Sequence, residues 1–347
     1  MNQIVCNFLG DIPFAAKAFG SGHINSTYKI RTESGDEYVL QQINHHVFPR
    51  PDQVMENSVA VTDHLRRKGS DALEFLQTEK KLAYHLDADG NYWRMYRFVP
   101  GLALDAPESP EDLYQAGLAF GQFQAFLADF PADTLHPVIP RFHDTPHRYQ
   151  QLRTAVEKDI CSRVKNAKTE LDWLYAQEAL ASKLQRMQDQ GKLPLRVTHN
   201  DTKLNNVLLD KDTRKPLCIL DLDTVMPGLS AFDFGDAIRF GAATDKEDSR
   251  QNRLDLQLFE QYAKGYLSQA NALTEDEISV LCLGAFTMTL EVGMRFLTDY
   301  FEGDHYFKID YPEHNLVRAR NQLSLAADIL NKLPQMESII EKTRTSV

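Results

Sequence analysis

The chain carries the sequence HNDTKLNN at residues 199–206 and a second acidic segment, ILDLD, at residues 219–223. The first segment has the spacing H-x-D-x-x-x-x-N, in which Asp201 stands five residues before Asn206. In the second segment Asp221 follows directly after a short apolar run, which is typical of a buried strand. A polar turn separates this run from the apolar residues that follow the first segment, so the two segments are predicted to form a hairpin that brings these side chains together.

This combination of side chains suits the transfer of a phosphoryl group, which demands mainly positioning and charge neutralisation from a protein. Asp201 is the predicted catalytic base, because a carboxylate can accept the hydrogen bond of an attacking hydroxyl group. Asn206 and Asp221 are predicted to bind Mg²⁺, which prefers hard oxygen ligands. Asp223 is predicted to be a second metal ligand or a cap of the next segment, and His199 to be structural. A serine hydrolase is not indicated, since the G-x-S-x-G motif is missing.

Composition favours a cytoplasmic protein with small-molecule partners. The chain has 347 residues and a net charge of −11, which argues against nucleic acid or an anionic membrane as a partner. A nucleotide is still compatible with this charge, because Mg²⁺ and backbone N–H groups can bind phosphates. The four cysteines show no C-x-x-C spacing, as expected in a reducing compartment. No signal peptide or membrane-spanning run is evident, and the oligomeric state stays open.

The pattern of apolar residues and turn signals predicts an α+β protein with two lobes. Residues 1–99 are predicted to form a small β-rich N-lobe that binds the nucleotide, and residues 100–347 a larger, mainly helical C-lobe that carries the catalytic loop and binds the substrate. This is a protein-kinase-like arrangement. Strands are expected at 14–19, 27–32, 37–43, 81–86 and 92–99, and helices at 51–68, 109–130, 148–166, 169–190, 250–268, 276–301 and 315–332.

Residues that bind a nucleotide are expected in the N-lobe and the hinge. Gly20 and Gly22 lie between two predicted strands, where the backbone could approach phosphates. Protein kinases place a phosphate-binding lysine on the third strand, where this chain has the uncharged Gln41. Glu56 on the following helix is either the partner that orients Gln41 or a solvated acid. The predicted nucleotide-binding residues are Gly20, Gly22, Gln41, Glu56, Phe98 and Val99.

Six segments give the chain a resemblance to a known superfamily. They are GSGHIN at 20–25, VLQQIN at 39–44, VTHNDTKLNN at 197–206, LDLDTVMPG at 220–228, FDFGD at 232–236 and RFLTDYFEGD at 295–304. With them the chain resembles the aminoglycoside phosphotransferase and choline kinase superfamily of small-molecule kinases. Within that superfamily it is most similar to the N-acetylhexosamine 1-kinases, which also read VLQ-x-x-N on the third strand.

The resemblance implies ATP- and Mg²⁺-dependent phosphorylation of the anomeric hydroxyl group of N-acetylglucosamine or N-acetylgalactosamine. Neutral hydroxyl groups and an acetamide require fixed polar groups in the site. For Arg295 the alternative is an interhelix salt bridge, and for Asp236, as for Asp233, a helix cap or a brace of the catalytic loop. The predicted sugar-binding residues are His23, Asp236, Arg295, Asp304 and Tyr306, with Arg239, Phe142 and His143 behind them.

Two other functions remain open. One is a kinase of the same superfamily that phosphorylates another hexose, an aminoglycoside or an amino alcohol. The mixed charge of residues 295–304 fits a neutral sugar better than a polycationic aminoglycoside. The other is a nucleotide-binding pseudokinase, against which the complete set of Asp201, Asn206 and Asp221 argues.

Overall fold

A computed structural model describes residues 1–20 and 25–346 of the chain. The N-lobe is built on an antiparallel sheet of five strands, which the alternation of apolar and polar residues predicts. The strands are β1 (Phe14–Ala18), β2 (Ser26–Thr32), β3 (Glu37–Ile43), β4 (His85–Leu86) and β5 (Tyr92–Arg97). Their order in the sheet is β1-β2-β3-β5-β4, so that β3 lies at the centre, between β2 and β5.

Two helices accompany this sheet, α1 (Asn2–Leu9) and α2 (Pro51–Arg67). Helix α2 starts with a proline at its first turn and ends with basic residues, both of which favour a helix at these positions. Its buried Asn57 side chain donates hydrogen bonds to the carbonyl groups of His136 (2.8 Å) and Val225 (2.9 Å). Helix α2 therefore ties the N-lobe to the segment that follows the acidic residues of the C-lobe.

The C-lobe is mainly helical, and its hydrophobic core lies between long helices. Short strands β6 (Arg196–Thr198), β7 (Val207–Leu209), β8 (Pro216–Ile219) and β9 (Met226–Gly228) form two small antiparallel pairs, β6 with β9 and β7 with β8. The helices are α3 (Pro110–Phe126), α4 (Thr145–Lys158), α5 (Lys168–Ala181), α6 (Lys183–Asp189), α7 (Ser230–Gly241), α8 (Leu256–Leu267), α9 (Glu275–Ser279), α10 (Leu281–Glu302) and α11 (His314–Ser346). The predicted α+β class is confirmed.

Helix α7 packs against α10 with almost no side chain between the two backbones. A Cβ atom added at Gly284 would lie 2.0 Å from the carbonyl oxygen of Ala231, and one at Gly235 would lie 2.4 Å from the backbone of Gly284. Glycine is therefore required at this crossing, since any larger residue would push the helices apart. The close approach holds α7 under the catalytic loop.

Helix α10 has the length and hydropathy of a membrane-spanning helix. However, 89% of its most apolar 18-residue window is buried inside the fold. Helices α4, α7 and α11 pack around it. Its apolar composition is thus explained by its place in the core of the C-lobe.

Several predicted boundaries were wrong. The helix predicted at 276–301 is two helices, because Val280 leaves the helical conformation between α9 and α10. The one predicted at 169–190 is likewise divided into α5 and α6 at Ser182. Helix α11 continues to Ser346, past Pro334, although the sequence predicts an end near 332. Helices α1 and α7 were not predicted. Helix α7 is buried on nearly all sides, so its sequence lacks the alternation of apolar and polar residues by which a helix is recognised.

Candidate active site

The predicted hairpin is confirmed, and it organises the acidic residues. Strands β7 and β8 pair antiparallel, and the pairing continues where the N–H group of Leu220 donates to the carbonyl group of Asn206 at 2.8 Å. Asp201 lies in the loop that enters β7, whereas Asp221 lies directly after β8. The two ends of one short hairpin therefore hold the predicted base and the predicted metal ligands beside each other.

Asn206 is fixed by the loop that contains Asp201. Its side-chain nitrogen donates to the backbone carbonyl group of Asp201 at 2.7 Å and to the carboxylate of Asp201 at 3.2 Å. Because the side-chain nitrogen makes both hydrogen bonds, the side-chain oxygen Oδ1 of Asn206 is the atom that could bind a cation. The predicted base and the predicted ligand are thus held together by direct hydrogen bonds.

Asp201 is half-buried and lies 2.9 Å from the ammonium group of Lys203. Burial alone would raise the pKa of Asp201, but the charge and the hydrogen bond of Lys203 outweigh burial and hold this pKa below its usual value. The carboxylate is consequently ionised at neutral pH, as a group that accepts a hydrogen bond from an attacking hydroxyl must be.

Asp221 has a left-handed backbone conformation, with φ of 54°, and the residue is exposed. Desolvation by the surrounding protein, together with repulsion from Asp223 and Asp201, raises the pKa of Asp221 to about 7. A divalent cation at this position would reverse that effect, because it would favour the charged carboxylate. The local excess of negative charge therefore fits a cation site.

The donor set also fits a hard cation that is shared with phosphate oxygens. Within residues 1–20 and 25–346 no group of three or more His, Cys, Asp or Glu side chains is arranged to hold a metal ion. One carboxylate and one amide oxygen, from Asp221 and Asn206, are what Mg²⁺ commonly takes from a protein, with the remaining ligands from nucleotide and water.

Asp223 is buried and serves as a brace between the lobes. One of its carboxylate oxygens pairs with Arg94 of β5, and the other accepts a hydrogen bond of 2.7 Å from Asn25. Both oxygens are therefore occupied by protein donors. A role for Asp223 as a second metal ligand stays a prediction, and its contacts show how the N-lobe is tied to the acidic segment.

Arg94 on β5 places a positive charge next to Gln41, the uncharged residue that stands where protein kinases have a lysine. It lies opposite Gln41 in the β3–β5 register, and its Nε donates to the side-chain oxygen Oε1 of Gln41 at 2.9 Å. The Gln41 nitrogen in turn donates to Thr27 at 3.1 Å. The predicted pairing of Glu56 with Gln41 is wrong, because Glu56 points outward and contacts His136 at 2.7 Å. The alternative, a solvated helix acid, is what the structure shows.

Of the other predicted nucleotide residues, the structure describes Gly20, Phe98 and Val99. Gly20 has a φ of 84°, which favours glycine, whereas Gly22 and His23 lie outside the described residues. The ring of Phe98 packs edge-on against Phe19. The backbone N–H group of Phe98 donates to the carbonyl group of Glu37, the first residue of β3. Val99 packs near the β7–β8 hairpin. Their contacts with a nucleotide stay predictions.

Buried aspartates on α7 brace the catalytic loop. Asp233 accepts hydrogen bonds of 2.8 Å from the N–H groups of His199 and Asn200, and Asp236 accepts one of 3.0 Å from that of Thr202. Burial raises the pKa of Asp233 to about 6 despite these donors. The bracing alternative for both residues is confirmed, and Asp236 also pairs with Arg239. Binding of a substrate by Asp236 stays a prediction.

His199 has the structural role that the sequence predicts. Its Nε2 atom forms a hydrogen bond of 2.9 Å with the carbonyl group of Leu220, and its ring packs edge-on against Phe120 and Phe123. The ring therefore links the catalytic loop to the strand end before Asp221 and to helix α3.

The predicted sugar-binding residues at the end of α10 fall into two groups. Arg295 and Tyr306 lie together, with 3.4 Å between guanidinium and hydroxyl groups, and Tyr306 is exposed. Asp304, by contrast, is buried in an ion pair with Arg163 and accepts a hydrogen bond of 2.9 Å from Asn315. These contacts give Asp304 a structural role, and its contact with a sugar stays a prediction.

Fold and site together define a phosphoryl-transfer protein of the two-lobed, kinase-like class. The sequence matches the family model described as "APH: Phosphotransferase enzyme family" over residues 15–271. The chain therefore belongs to this family of phosphotransferases, and the predicted superfamily is confirmed.

Solved structures have a similar fold. An aminoglycoside phosphotransferase from Alicyclobacillus acidocaldarius is 14% identical, with a TM-score of 0.65 over 99% of this chain and 96% of that one. A microcompartment-associated aminopropanol kinase is 16% identical, with a TM-score of 0.65 over 97% of both chains. An amicoumacin kinase in complex with AMP-PNP and Ca²⁺ is 13% identical, with a TM-score of 0.59 over 98% of this chain and 92% of that one. At these identities the likeness confirms the predicted kinase-like fold.

The Arg94–Asp223 pair generates a prediction about stability. Replacing Arg94 by methionine leaves a buried carboxylate without its cation, and we expect the free energy of unfolding to fall by about 3–5 kcal/mol. The matched control is Arg97→Ala on the same strand, since the Arg97–Glu74 pair is more than half exposed at both side chains. Loss of the Arg97–Glu74 pair should lower the free energy of unfolding by about 1 kcal/mol or less. Urea denaturation followed by circular dichroism measures both; equal losses would contradict the role given to Arg94.

Proposed function

We propose that the protein is an ATP- and Mg²⁺-dependent kinase that phosphorylates the anomeric hydroxyl group of N-acetylglucosamine or N-acetylgalactosamine. The observation that carries the kinase activity is the convergence of Asp201, Asn206 and Asp221 on one hairpin, in a chain that belongs to a phosphotransferase family. The acceptor rests on the resemblance of the segments around these residues to those of the N-acetylhexosamine 1-kinases. The four cysteines are unpaired, which supports a reducing cytoplasm as its location.

The catalytic loop carries the side chains that act on the acceptor hydroxyl group. Asp201 accepts the hydrogen bond of the sugar hydroxyl and holds its oxygen in line with the terminal phosphate of ATP. Lys203, at 2.9 Å from Asp201, keeps the base ionised and places a positive charge where the phosphoryl group is transferred. Asp233 and Asp236 keep the loop rigid, so that the hydroxyl group is positioned and not merely bound.

The nucleotide side is assigned to the acidic segment and the N-lobe sheet. Asn206 and Asp221 would hold Mg²⁺, which when bound neutralises charge on the phosphates. Arg94 contacts both Asp223 and Gln41, and Gln41 stands at the position of the kinase lysine. The amicoumacin kinase of the same fold was determined with AMP-PNP and Ca²⁺, which supports a nucleotide and a divalent cation as ligands here.

A panel of acceptors with Mg-ATP tests the proposed substrate. We expect ADP release with N-acetylglucosamine or N-acetylgalactosamine, and a product whose phosphorus-31 NMR signal is split by the anomeric proton. Glucose, galactose, kanamycin, aminopropanol and choline serve as alternative acceptors. Turnover of one of these without turnover of either N-acetylhexosamine would replace the proposed acceptor, and ATP binding without turnover of any compound would favour a pseudokinase.

Replacing Asp201 tests the proposed base. We expect Asp201→Asn to lower kcat by about 10²-fold or more, since a positioned base contributes this much, while ATP binding and the melting temperature change little. Asp212→Asn is the matched control, because it removes a carboxylate from the exposed turn that connects β7 to β8. A kcat for Asp201→Asn equal to that of the control would refute the assignment.

Replacing Asp221 tests the proposed metal site. We expect Asp221→Ala to abolish turnover at every Mg²⁺ concentration, and Asn206→Ala to raise the Mg²⁺ concentration needed for half-maximal turnover. The measurement is a Mg²⁺ titration at fixed ATP. Activity of Asp221→Ala with an unchanged Mg²⁺ requirement would show that the cation is held elsewhere.

A further inference from the structure

Asn25, the residue directly before β2, makes a contact that crosses from the N-lobe to the acidic segment of the C-lobe. Its side-chain nitrogen donates a hydrogen bond of 2.7 Å to one carboxylate oxygen of Asp223, which lies two residues after Asp221. Its side-chain oxygen accepts a hydrogen bond of 3.0 Å from the backbone N–H group of Asn44, the residue after β3. Because a backbone N–H group only donates, the orientation of the Asn25 amide is determined, and its NH₂ group faces the carboxylate.

This contact completes a chain of hydrogen bonds that connects three strands of the N-lobe sheet. The second carboxylate oxygen of Asp223 pairs with Arg94 of β5. Arg94 donates to the side-chain oxygen of Gln41 on β3, and the Gln41 nitrogen donates to Thr27 on β2. Thr27 lies two residues after Asn25, so the chain of hydrogen bonds begins and ends at the start of β2 and passes through the C-lobe at Asp223. Each carboxylate oxygen of Asp223 therefore has a donor from the N-lobe.

The residues after Asp221 form a single 3₁₀ turn, Leu222–Thr224, which contacts both lobes. On the C-lobe side, the Asn200 side chain donates to the carbonyl group of Thr224 at 2.9 Å. The hydroxyl group of Thr224 in turn donates to the backbone of the catalytic loop at 2.7 Å. On the N-lobe side, the middle residue of the turn provides the carboxylate described above. The turn that follows the proposed metal ligand is therefore attached both to the loop of the base and to the N-lobe sheet.

The relative position of the two lobes matters for phosphoryl transfer. Under the proposed function the nucleotide contacts the N-lobe sheet, whereas Asp221 of the C-lobe holds the cation on its phosphates. The terminal phosphate is in line with the hydroxyl group at Asp201 only when both lobes are correctly placed. The contacts of Asp223 with Asn25 and Arg94 act on this placement, because they join the sheet to the turn that follows the metal ligand.

We propose that Asn25 is a positioning residue for phosphoryl transfer, which acts through Asp223 on the metal ligand Asp221. In this arrangement Asp223 accepts hydrogen bonds from protein donors and does not itself bind the cation. The inference rests on the proposed function for the reaction, and it adds the residue that couples the nucleotide-binding lobe to the metal site. The hydrogen bond from Asn25 is charge-assisted and therefore stronger than a neutral one, so that its loss is measurable.

An exchange of the two side chains tests the inference, since the amide of Asn25 and the carboxylate of Asp223 can trade places. Asn25→Asp keeps an acceptor for the N–H group of Asn44 but turns a second carboxylate toward Asp223. Asp223→Asn presents an NH₂ group to one of the two donors that face it. In the double variant Asn25→Asp/Asp223→Asn, the amide at position 223 accepts from Arg94 and donates to the carboxylate at position 25. The double variant therefore restores the hydrogen bonds that each single variant removes.

Nucleotide binding without turnover is measured by isothermal titration calorimetry with AMP-PNP, once with Mg²⁺ and once with EDTA. We expect each single variant to lower the gain in affinity that Mg²⁺ provides by about tenfold or more, as is common when a support of a metal ligand is lost. The affinity in EDTA should change little, and the double variant should recover most of the gain. Asn25→Ala, which removes the donor without adding a charge, should show the same loss. Asn271→Asp, in the exposed loop between α8 and α9, is the control for the change of charge.

Steady-state kinetics adds a result that a general loss of stability would not produce. At a saturating concentration of the acceptor that the wild type phosphorylates, the single variants should lower kcat/KM for Mg-ATP by about tenfold or more, with little change in KM for the acceptor. The double variant should be more active than either single variant, because the two positions are coupled. Circular dichroism checks that each variant is folded; the hydrogen bond between Asn57 of α2 and the carbonyl group of Val225 remains in all of them.

Two results would overturn the inference. A double variant that is no better than Asp223→Asn alone would show that a carboxylate is needed at position 223 itself, as a cation ligand requires. Single variants, Asn25→Ala included, that unfold more easily but keep the full Mg²⁺-dependent gain in affinity would leave Asn25 with a structural role alone.

Failure of the proposed function has a different signature. If no N-acetylhexosamine is phosphorylated while the exchange restores the Mg²⁺-dependent binding of AMP-PNP, the proposed acceptor fails and the inference stands. If an N-acetylhexosamine is phosphorylated and the exchange restores neither binding nor turnover, the proposed function stands and the inference is overturned.

Discussion

The carboxylate of Asp233 accepts hydrogen bonds from two successive N–H groups of the catalytic loop, and the geometry of the site depends on this interaction. The loop runs through Asn200 with a φ of 62°, a conformation that non-glycine residues rarely adopt. Two charge-assisted hydrogen bonds and the side-chain bonds of Asn200 to neighbouring carbonyl groups hold it there. Asp233 is itself placed by the glycine-mediated contact between α7 and α10. The core of the C-lobe thus positions the side chain of Asp201.

A second constraint connects the lobes. The buried pair of Arg94 and Asp223 joins the central part of the N-lobe sheet to the segment that follows Asp221. Asn57 of α2 adds a neutral connection to the same segment. The loss of water by both charges offsets much of their attraction, so that the intact pair adds little net stability, whereas removal of one partner leaves a buried charge unpaired. The pair fixes the N-lobe sheet against this segment and keeps Arg94 beside Gln41.

The sequence predicts local parts of this site better than distant ones. The β7–β8 hairpin and the set of Asp201, Asn206 and Asp221 were predictable, because their geometry follows from spacing within 25 residues and from turn chemistry. Arg94 was missed, since its partner is 129 residues away and an arginine within a strand gives no sign of burial. The predicted partner Glu56 had the right sequence spacing but faces solvent. Asp304 matched a family segment, although tertiary contacts with Arg163 and Asn315 bury it.

Buried carboxylates in the C-lobe therefore serve as fixed supports of the site. Asp223, Asp233 and Asp304 have protein donors around their carboxylates, and each of them fixes the position of a loop or a strand. A buried polar group whose hydrogen bonds are all satisfied stabilises one conformation, because any other arrangement would leave it without partners in a medium of low dielectric constant. The loop of Asp201 is thus held in one geometry by charges that lie outside the reacting groups.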